Sequence, residues 1–126
     1  MSEAFLEHAN ITVSNPARTS AMLEKIFGWK QRWGGPALDG GTTIHCGGTR
    51  SDLALYTGAD GVHATARLDK GAPLNHVAIV VDDLDEIKRR VTALGLVPSI
   101  PENYDPGRRF YFFDHDHIEF EVVSYR

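Results

Sequence analysis

Two histidines stand at matching positions of an internal repeat, and two glutamates stand near the end of the chain. His8 aligns with His76 when the sequence is compared with itself at an offset of 68 positions, and both halves there read L-x-H-x-x-I-x-V. The glutamates are Glu119 and Glu121. Imidazole and carboxylate groups are the ligands that Zn²⁺, Mn²⁺, Fe²⁺, Co²⁺ and Ni²⁺ accept in proteins. Because Cys46 is the one cysteine of the chain, a metal site here depends on His, Asp or Glu.

The strands that carry the histidines are predicted from alternating apolar residues. Successive side chains of a strand point to opposite faces of a sheet. Ile11 and Val13 are expected to pack under a helix, which leaves His8 and Asn10 on the other face. The same alternation places His76 on the equivalent face of the second half.

The last predicted strand brings carboxylates to that face as well. Ile118, Phe120 and Val122 form its apolar row, so Glu119 and Glu121 point the other way. Two imidazoles and one carboxylate would leave coordination positions open for water and substrate, as in catalytic metal sites. The alternative is that each histidine only ends a strand with a hydrogen bond. The matching positions in the repeat favour the metal site.

Each first strand is followed by signals for the start and end of a helix. Asn15 and Pro16 begin the first helix, and Asp83 with Glu86 forms a predicted capping box before the second. Helical apolar periodicity follows both starts. Gly28 and Gly95 stand where a left-handed helix cap favours glycine. They are 67 positions apart, so one residue has been lost from the register of the repeat by the end of the helix.

Shorter strands follow each helix, so each half is predicted as strand, helix and three strands. These later strands are expected at Trp29–Trp33, Gly41–Cys46, Asp52–Thr57, Leu96–Ser99, Arg108–Phe113 and Ile118–Ser124. Module 1 is expected at about 4–57, a linker rich in Gly and Ala at about 58–73, and module 2 at about 74–125. Neither half has a second layer of structure that could bury both faces of its own sheet, so the two halves are expected to pair. The fold class is therefore predicted as α+β, with two βαβββ modules forming a curved, partly open barrel-like sheet with helices outside, in one domain over 1–126.

Composition excludes several kinds of partner. The chain has 126 residues and a net charge of −4, with its Lys and Arg residues scattered, so we expect no nucleic-acid partner. No apolar stretch is long enough to span a bilayer, so no membrane partner is expected. The N-terminal residues do not have the form of a signal peptide, which predicts a cytoplasmic protein.

The sequence resembles the vicinal oxygen chelate superfamily. The superfamily includes glyoxalase I, extradiol dioxygenases, fosfomycin-resistance thiol transferases, methylmalonyl-CoA epimerase and bleomycin-resistance proteins. The resemblance rests on three segments, at 6–13, 74–84 and 110–121. It implies one divalent metal ion per site, with ligands at His8, His76 and Glu121. Glu121 is chosen over Glu119 because it lies seven residues after Asp114, where the family's D-P-D-G hairpin places its glutamate.

The resemblance also implies substrate contacts and an assembly. The candidate substrate-binding residues are Asn10, Thr43, Tyr56, Arg109 and Tyr111. A homodimer is expected, with His8 of one chain and His76 and Glu121 of the other in each of two shared sites.

Two departures from the family pattern limit the expected activity. Ala54 stands where a glyoxalase I site has its fourth ligand, which argues against glyoxalase chemistry. The usual turn is replaced by Asp114-His115-Asp116-His117, read either as a second metal site or, as we favour, as an exposed polar hairpin.

The expected function is that of a metal-dependent enzyme of lyase, isomerase or transferase type, which chelates an oxygen-rich small molecule and stabilises an enolate or oxyanion. One alternative is a metal-free small-molecule or drug-binding protein of the bleomycin-resistance type. Another is an Fe(II) extradiol-type dioxygenase. Fosfomycin resistance ranks lower, because that family has basic substrate contacts beyond its last strand. Here Arg126 lies only five residues after Glu121, which leaves no residues for such contacts. The substrate, the metal and the proton-transfer residue are not predicted.

Overall fold

The chain divides into two compact units, Met1–Ala66 and Arg67–Arg126, which contain the predicted module 1 and module 2 respectively. The computed structural model describes residues 2–37, 40–59, 73–104 and 107–126. Within these residues each module has one helix and a four-stranded sheet, in the order strand, helix and three strands. The α+β class and the two βαβββ modules are therefore confirmed. Most of the predicted linker, residues 60–72, lies outside the described residues.

Module 1 begins with a strand and a helix that packs on its sheet. Its elements are β1 (His8–Thr12), α1 (Pro16–Phe27), β2 (Lys30–Pro36), β3 (Thr42–Gly47) and β4 (Asp52–Thr57). The strand order is β1-β4-β3-β2, with β1 parallel to β4 and the other pairs antiparallel. This order places the first strand directly beside the last strand of the module.

Helix α1 forms and packs as its sequence signals predict. The Asn15 side chain accepts a hydrogen bond from the Arg18 backbone N–H at 3.1 Å, and Gly28 ends the helix at φ 71°. Leu23 and Ile26 are fully buried on the face that meets the sheet. Burying each such side chain contributes about 1.5–3 kcal/mol. The opposite face of the sheet is left for the polar side chains.

Module 2 repeats this arrangement. Its elements are β5 (Val77–Val80), α2 (Leu84–Ala93), β6 (Glu102–Tyr104), β7 (Gly107–Phe113) and β8 (Glu119–Ser124). The strand order is β5-β8-β7-β6, with β5 parallel to β8. Phe110, Phe112 and Phe120 are fully buried, and the rings of Phe112 and Phe120 stack at 5.3 Å. These aromatic side chains occupy one face of β7 and β8, so the alternate residues face the other way.

The predicted capping box of α2 forms only in part. The Asp83 side chain accepts from the Glu86 backbone N–H at 3.1 Å, which is the expected cap. The Glu86 carboxylate instead accepts from Arg89 and Arg90 further along the helix. Two guanidinium groups within reach outcompete a single backbone N–H for that carboxylate.

The strand predicted at Leu96–Ser99 is wrong. The short strand of this region lies later, at Glu102–Tyr104. Pro98 and Pro101 have no backbone N–H to donate to a ladder, which explains why the apolar residues before them form no strand. Two hydrogen bonds to β7 do form there: the Ser99 N–H donates to the Tyr111 carbonyl at 2.7 Å, and the Tyr111 N–H donates to the Ser99 hydroxyl at 2.9 Å.

The expectation of an exposed polar hairpin at 114–117 is also wrong. Asp114 and Asp116 are only 4% and 7% exposed. Asp114 turns inward because its Oδ1 accepts from the backbone N–H groups of Asp116 and Ile118, both at 2.9 Å. Burial raises the pKa of the Asp114 carboxyl above its ordinary value of 3.8. The turn is therefore stabilised by hydrogen bonds to a buried carboxyl group.

Candidate functional site

The polar face of module 2 centres on the carboxylate of Glu121. Glu121 Oε1 lies 3.0 Å from His76 Nε2, and Glu121 Oε2 lies 3.1 Å from Arg109 Nη1. The Glu121 and Arg109 side chains are only 9% and 14% exposed. The carboxylate is thus shared between an imidazole and a guanidinium away from bulk water, where such contacts are stronger than at the surface.

Strand register explains why these groups meet. Glu121 in β8 pairs with Ala78 in β5 on one side and with Tyr111 in β7 on the other. His76 comes just before β5, and its ring lies 5.9 Å from the Tyr111 ring at 90°. Arg109 shares the face of Tyr111, because the buried Phe110 lies between them on the opposite face. Four of the predicted site residues are therefore brought together in module 2.

The contacts of His76 indicate a place for one cation. Its Nδ1 lies 2.7 Å from Asn75 Oδ1, an atom that can only accept, so Nδ1 carries a proton. The Nε2 atom then faces a carboxylate oxygen of Glu121, and this contact needs a proton or a metal ion between the two. Ligand atoms bound about 2.1 Å from one ion are separated by roughly 3.0–3.4 Å, depending on the coordination angle. The observed 3.0 Å lies at the short end of this range and is also the length of a direct hydrogen bond. The donor atoms of this pair fit a divalent ion.

The histidine of module 1 is held in a similar way. His8 Nδ1 lies 2.8 Å from Glu7 Oε1, so in both modules the preceding side chain occupies Nδ1. His8 also occupies the matching place in its sheet, because Asn10, two residues on, pairs with Ala54 as Ala78 pairs with Glu121. At Ala54, however, there is no donor atom.

Sequence reasoning missed a second imidazole on this face. His45 in β3 pairs with Ala54, and its ring centroid lies 5.3 Å from that of His8. Its Nδ1 lies 3.3 Å from Asp52 Oδ1, and its ring packs edge-on against Trp33 at 5.8 Å. A cavity of about 290 Å³ opens here, lined by Glu7, Arg32, Trp33, His45 and Asp52. The sequence did contain a signal for His45: it lies two residues after Thr43, and residues two apart in a strand share a face.

The remaining predicted substrate-binding residues also lie on the polar face of module 1. Asn10 is exposed on β1, and Thr43 of β3 pairs with Tyr56 of β4. Thr43 Oγ1 is buried and has no hydrogen-bond partner among the described residues. Module 1 therefore carries His8, Asn10, Thr43 and Tyr56 on one face.

Within the part of the chain that the structure describes, no group of three or more His, Cys, Asp or Glu side chains is gathered closely enough to hold a metal ion. In module 2 the pair His76 and Glu121 supplies two such side chains, 3.0 Å apart. The three-ligand site with His8 stays a prediction.

Comparison with known proteins assigns the chain to a family. The sequence profile of the Glyoxalase/Bleomycin resistance protein/Dioxygenase superfamily matches residues 5–122, so the chain belongs to this superfamily. No curated protein matches the sequence. Among the residues that can be described, no helix has the length and apolar character needed to cross a membrane.

Solved structures share the fold at low sequence identity. A glyoxylase/bleomycin resistance protein/dioxygenase domain from Frankia sp. EAN1pec has a TM-score of 0.86 and 22% identity, covering 99% of this chain and 100% of its own. A superfamily member from Sphaerobacter thermophilus DSM 20745 has a TM-score of 0.74 and 20% identity, with 97% and 98% covered. The fosfomycin resistance protein FosX from Listeria monocytogenes, in complex with Mn(II) and sulfate, has a TM-score of 0.73 and 20% identity, with 98% and 93% covered. These likenesses confirm the fold.

Proposed function

We propose that the protein is a divalent-metal-dependent enzyme whose metal ligands are His8, His76 and Glu121. Its substrate is an oxygen-rich small molecule that chelates the ion, and its reaction is of the lyase, isomerase or transferase type. The observation that carries this proposal is the 3.0 Å approach of His76 Nε2 to Glu121 Oε1. The occupied Nδ1 atoms of His8 and His76 support it further, since metal-binding histidines usually donate their other ring N–H to a nearby oxygen.

The surrounding residues have separate tasks in this proposal. Arg109 holds Glu121 Oε2, so that Oε1 stays directed at His76. Tyr111 lies edge-on to His76, where its phenol can donate to a substrate oxygen. A divalent ion bound here supplies a Lewis acid that stabilises negative charge on the substrate. Mn(II) is the first ion to test, because FosX from Listeria monocytogenes was solved with it.

Calorimetric titration with Mn(II) tests the ligand assignment. The wild type should bind about one ion per chain, and His76→Ala should weaken binding at least about 100-fold, since two remaining ligands hold an ion poorly. His117→Ala is the matched control, because it removes a histidine that stacks on Phe113 in the 114–117 turn. A wild type without Mn(II) binding, or equal affinity in His76→Ala, would contradict the proposal.

A shared site in a homodimer is the second part of the proposal. We propose that His8 of one chain completes the pair His76 and Glu121 of a second copy, in a cytoplasmic dimer. Mixed subunits of His8→Ala and Glu121→Ala should then recover about one quarter of the wild-type sites, because half of the dimers are hybrids with one intact site each. No recovery, or a monomer by sedimentation, would contradict sharing between chains.

A metal-free binding protein of the bleomycin-resistance type is the second candidate. It is favoured by Arg109, which already balances the charge of Glu121 without a metal ion. Thermal unfolding with and without a chelator separates the two candidates. A metalloenzyme loses stability when its ion is removed, since an ion that binds only the folded state stabilises it. An unchanged Tm favours the metal-free protein.

The reaction proposed here differs from that of glyoxalase I. Alanine at Ala54 can neither bind a metal nor move a proton, and loss of a positioned base costs about 10²- to 10⁴-fold in rate. Isomerisation of the methylglyoxal–glutathione hemithioacetal should therefore be weak even with metal bound. Turnover comparable to that of a dedicated glyoxalase I would contradict this part of the proposal.

A further inference from the structure

The imidazole of His45 stands beside the position where module 1 lacks a ligand. In module 2 the strand β8 carries Glu121, and in module 1 the matching place of β4 carries Ala54. His45 is the residue that pairs with Ala54 across the β3–β4 ladder. Directly paired residues of neighbouring strands project their side chains to the same face, about 5 Å apart. His45 can therefore reach the volume that a longer side chain at Ala54 would fill.

The contacts of His45 are those of a metal-binding histidine. Asp52 Oδ1 lies 3.3 Å from its Nδ1, and the Asp52 side chain is only 10% exposed. Trp33 packs against the edge of the ring, which limits its rotation. A carboxylate on one ring nitrogen fixes the tautomer and directs the lone pair of the other nitrogen outward. The arrangement repeats what Glu7 does for His8 and Asn75 does for His76.

The separation of His45 from His8 fits two ligands of one ion. Their ring centroids are 5.3 Å apart and the ring planes are inclined by 66°. In an imidazole bound through Nε2 at about 2.1 Å, the ring centre lies roughly 3.2 Å from the ion. Two such rings at a tetrahedral angle have centroids about 5 Å apart. The observed centroid separation of 5.3 Å is close to this value.

We infer that His45 is a further ligand of the proposed metal site and takes the place that Ala54 leaves open. This inference rests on the proposed function. The ligand set becomes His8, His45, His76 and Glu121, which has one carboxylate and three imidazoles. Such a set favours Zn²⁺, Co²⁺, Ni²⁺ or Fe²⁺ over Mg²⁺ or Ca²⁺, which prefer oxygen ligands.

Titration with Co(II) alone tests this ligand without any substrate. His45→Ala should bind Co(II) at least about tenfold more weakly than the wild type and should change its visible absorption spectrum, because the coordination changes. His117→Ala, which removes the histidine stacked on Phe113, should change neither. Thermal unfolding of the metal-free variants shows whether His45→Ala still folds.

A second variant should produce a new absorption band instead of a loss of binding. In His45→Cys a thiolate replaces the imidazole, so Co(II) should produce a sulfur-to-metal charge-transfer band in the near-ultraviolet. Thr49→Cys, on the exposed turn after β3, controls for a surface thiol. The wild type controls for Cys46, whose side chain is buried against α1 with its Sγ near the Ser20 carbonyl.

The outcomes separate this inference from the proposed function. If the wild type binds no Co(II), the metal site itself is wrong and His45 is not a ligand. If the wild type binds Co(II) and His76→Ala loses it, while His45→Ala keeps full affinity and His45→Cys shows no new band, only the inference about His45 is overturned. A weakened His45→Ala together with the new band in His45→Cys establishes His45 as a ligand.

Discussion

In module 2 the carboxylate of Glu121 lies 3.0 Å from His76, whereas in module 1 the matching position is Ala54 and His8 lies edge-on to His45. The backbone ladders are equivalent, since Asn10 pairs with Ala54 as Ala78 pairs with Glu121. Only the side chains differ. The two modules therefore have the same backbone arrangement and differ in the proposed metal-binding side chains that they carry.

The two faces also differ in charge. Arg109 of module 2 pairs with Val123 of β8, and the matching residue of β3 is Thr43, which pairs with Tyr56. Module 2 therefore holds a nearly buried ion pair between Arg109 and Glu121. Module 1 has a neutral hydroxyl at that place. At this matched position, therefore, module 2 carries a guanidinium that pairs with Glu121 and module 1 carries an uncharged hydroxyl.

Stability measurements on matched positions should show the largest difference. Arg109→Met should lower the free energy of unfolding by about 3 kcal/mol, because it leaves Glu121 without its guanidinium partner in a site with little water. Thr43→Val should be close to neutral or slightly stabilising, because it removes a buried hydroxyl oxygen without a described partner. Urea unfolding in the presence of a chelator measures both. Equal effects of the two substitutions would remove the proposed distinction between the modules.

Restoring the missing carboxylate should make module 1 more like module 2. In a His45→Ala background, where this position holds no ligand, Ala54→Glu should raise Mn(II) affinity roughly tenfold, the scale on which single groups act at metal sites. Before metal is added, the same variant should be less stable, because Ala54 is only 1% exposed and a carboxylate there lacks a partner. Ala54→Gln provides the control of similar size without charge. An affinity of Ala54→Glu no higher than that of Ala54→Gln would show that this position does not face the metal.

The smallest expected effect concerns the turns that precede β4 and β8. Residues 48–51 before β4 include no acid, whereas the turn before β8 begins with the buried Asp114. Burial raises the pKa of Asp114 in the folded state; the charge of His115 opposes this shift and the charge of Asp116 adds to it. The stability from the protonated Asp114 is therefore complete below about pH 3.8 and is lost as the pH rises through the raised pKa.

The variant Asp114→Asn tests the direction of this pH dependence of stability directly. The variant keeps an oxygen for the two backbone N–H groups and cannot ionise. Its stability relative to the wild type should increase as the pH rises from 3.8 towards neutrality, measured by urea unfolding at several pH values. Glu3→Gln, which removes an exposed carboxylate, is the control variant. A relative stability that falls with rising pH would contradict the buried-acid account.

Alternating residues predicted the faces of the strands well, because a strand buried on one side has a strict period of two. His8 and His76 were placed on the polar faces in this way, and so was Glu121. The prediction of a strand at Leu96–Ser99 was wrong because it relied on the apolar residues and gave too little weight to the nearby prolines. In that segment the loss of backbone donors decides the structure.

His45 was missed for a different reason, which is register. Ala54 was matched to Glu121 by a constant offset of 67, and the same offset matches Tyr111 to Ile44. The ladders instead pair Ala54 with His45, because the partners are nine residues apart in module 1 and ten in module 2. A one-residue change in hairpin length changes which residues lie opposite each other, so a constant offset between the modules points to the wrong residue. The alternation of His45 with Thr43 was the signal that places it on the polar face. The contact of Arg109 with Glu121 runs diagonally across the ladder and depends on side-chain reach.

Anomalous diffraction from crystals grown with Mn(II) tests the central claim most directly, because it locates the ion. We expect one strong peak per chain, roughly 2.2 Å from His76 Nε2 and Glu121 Oε1 and at a similar distance from His8. Crystals of the variant with alanine at all three positions should show no peak at this place. A wild-type structure in which His76 and Glu121 keep their direct contact, with no anomalous peak beside them at saturating Mn(II), would contradict the metal site.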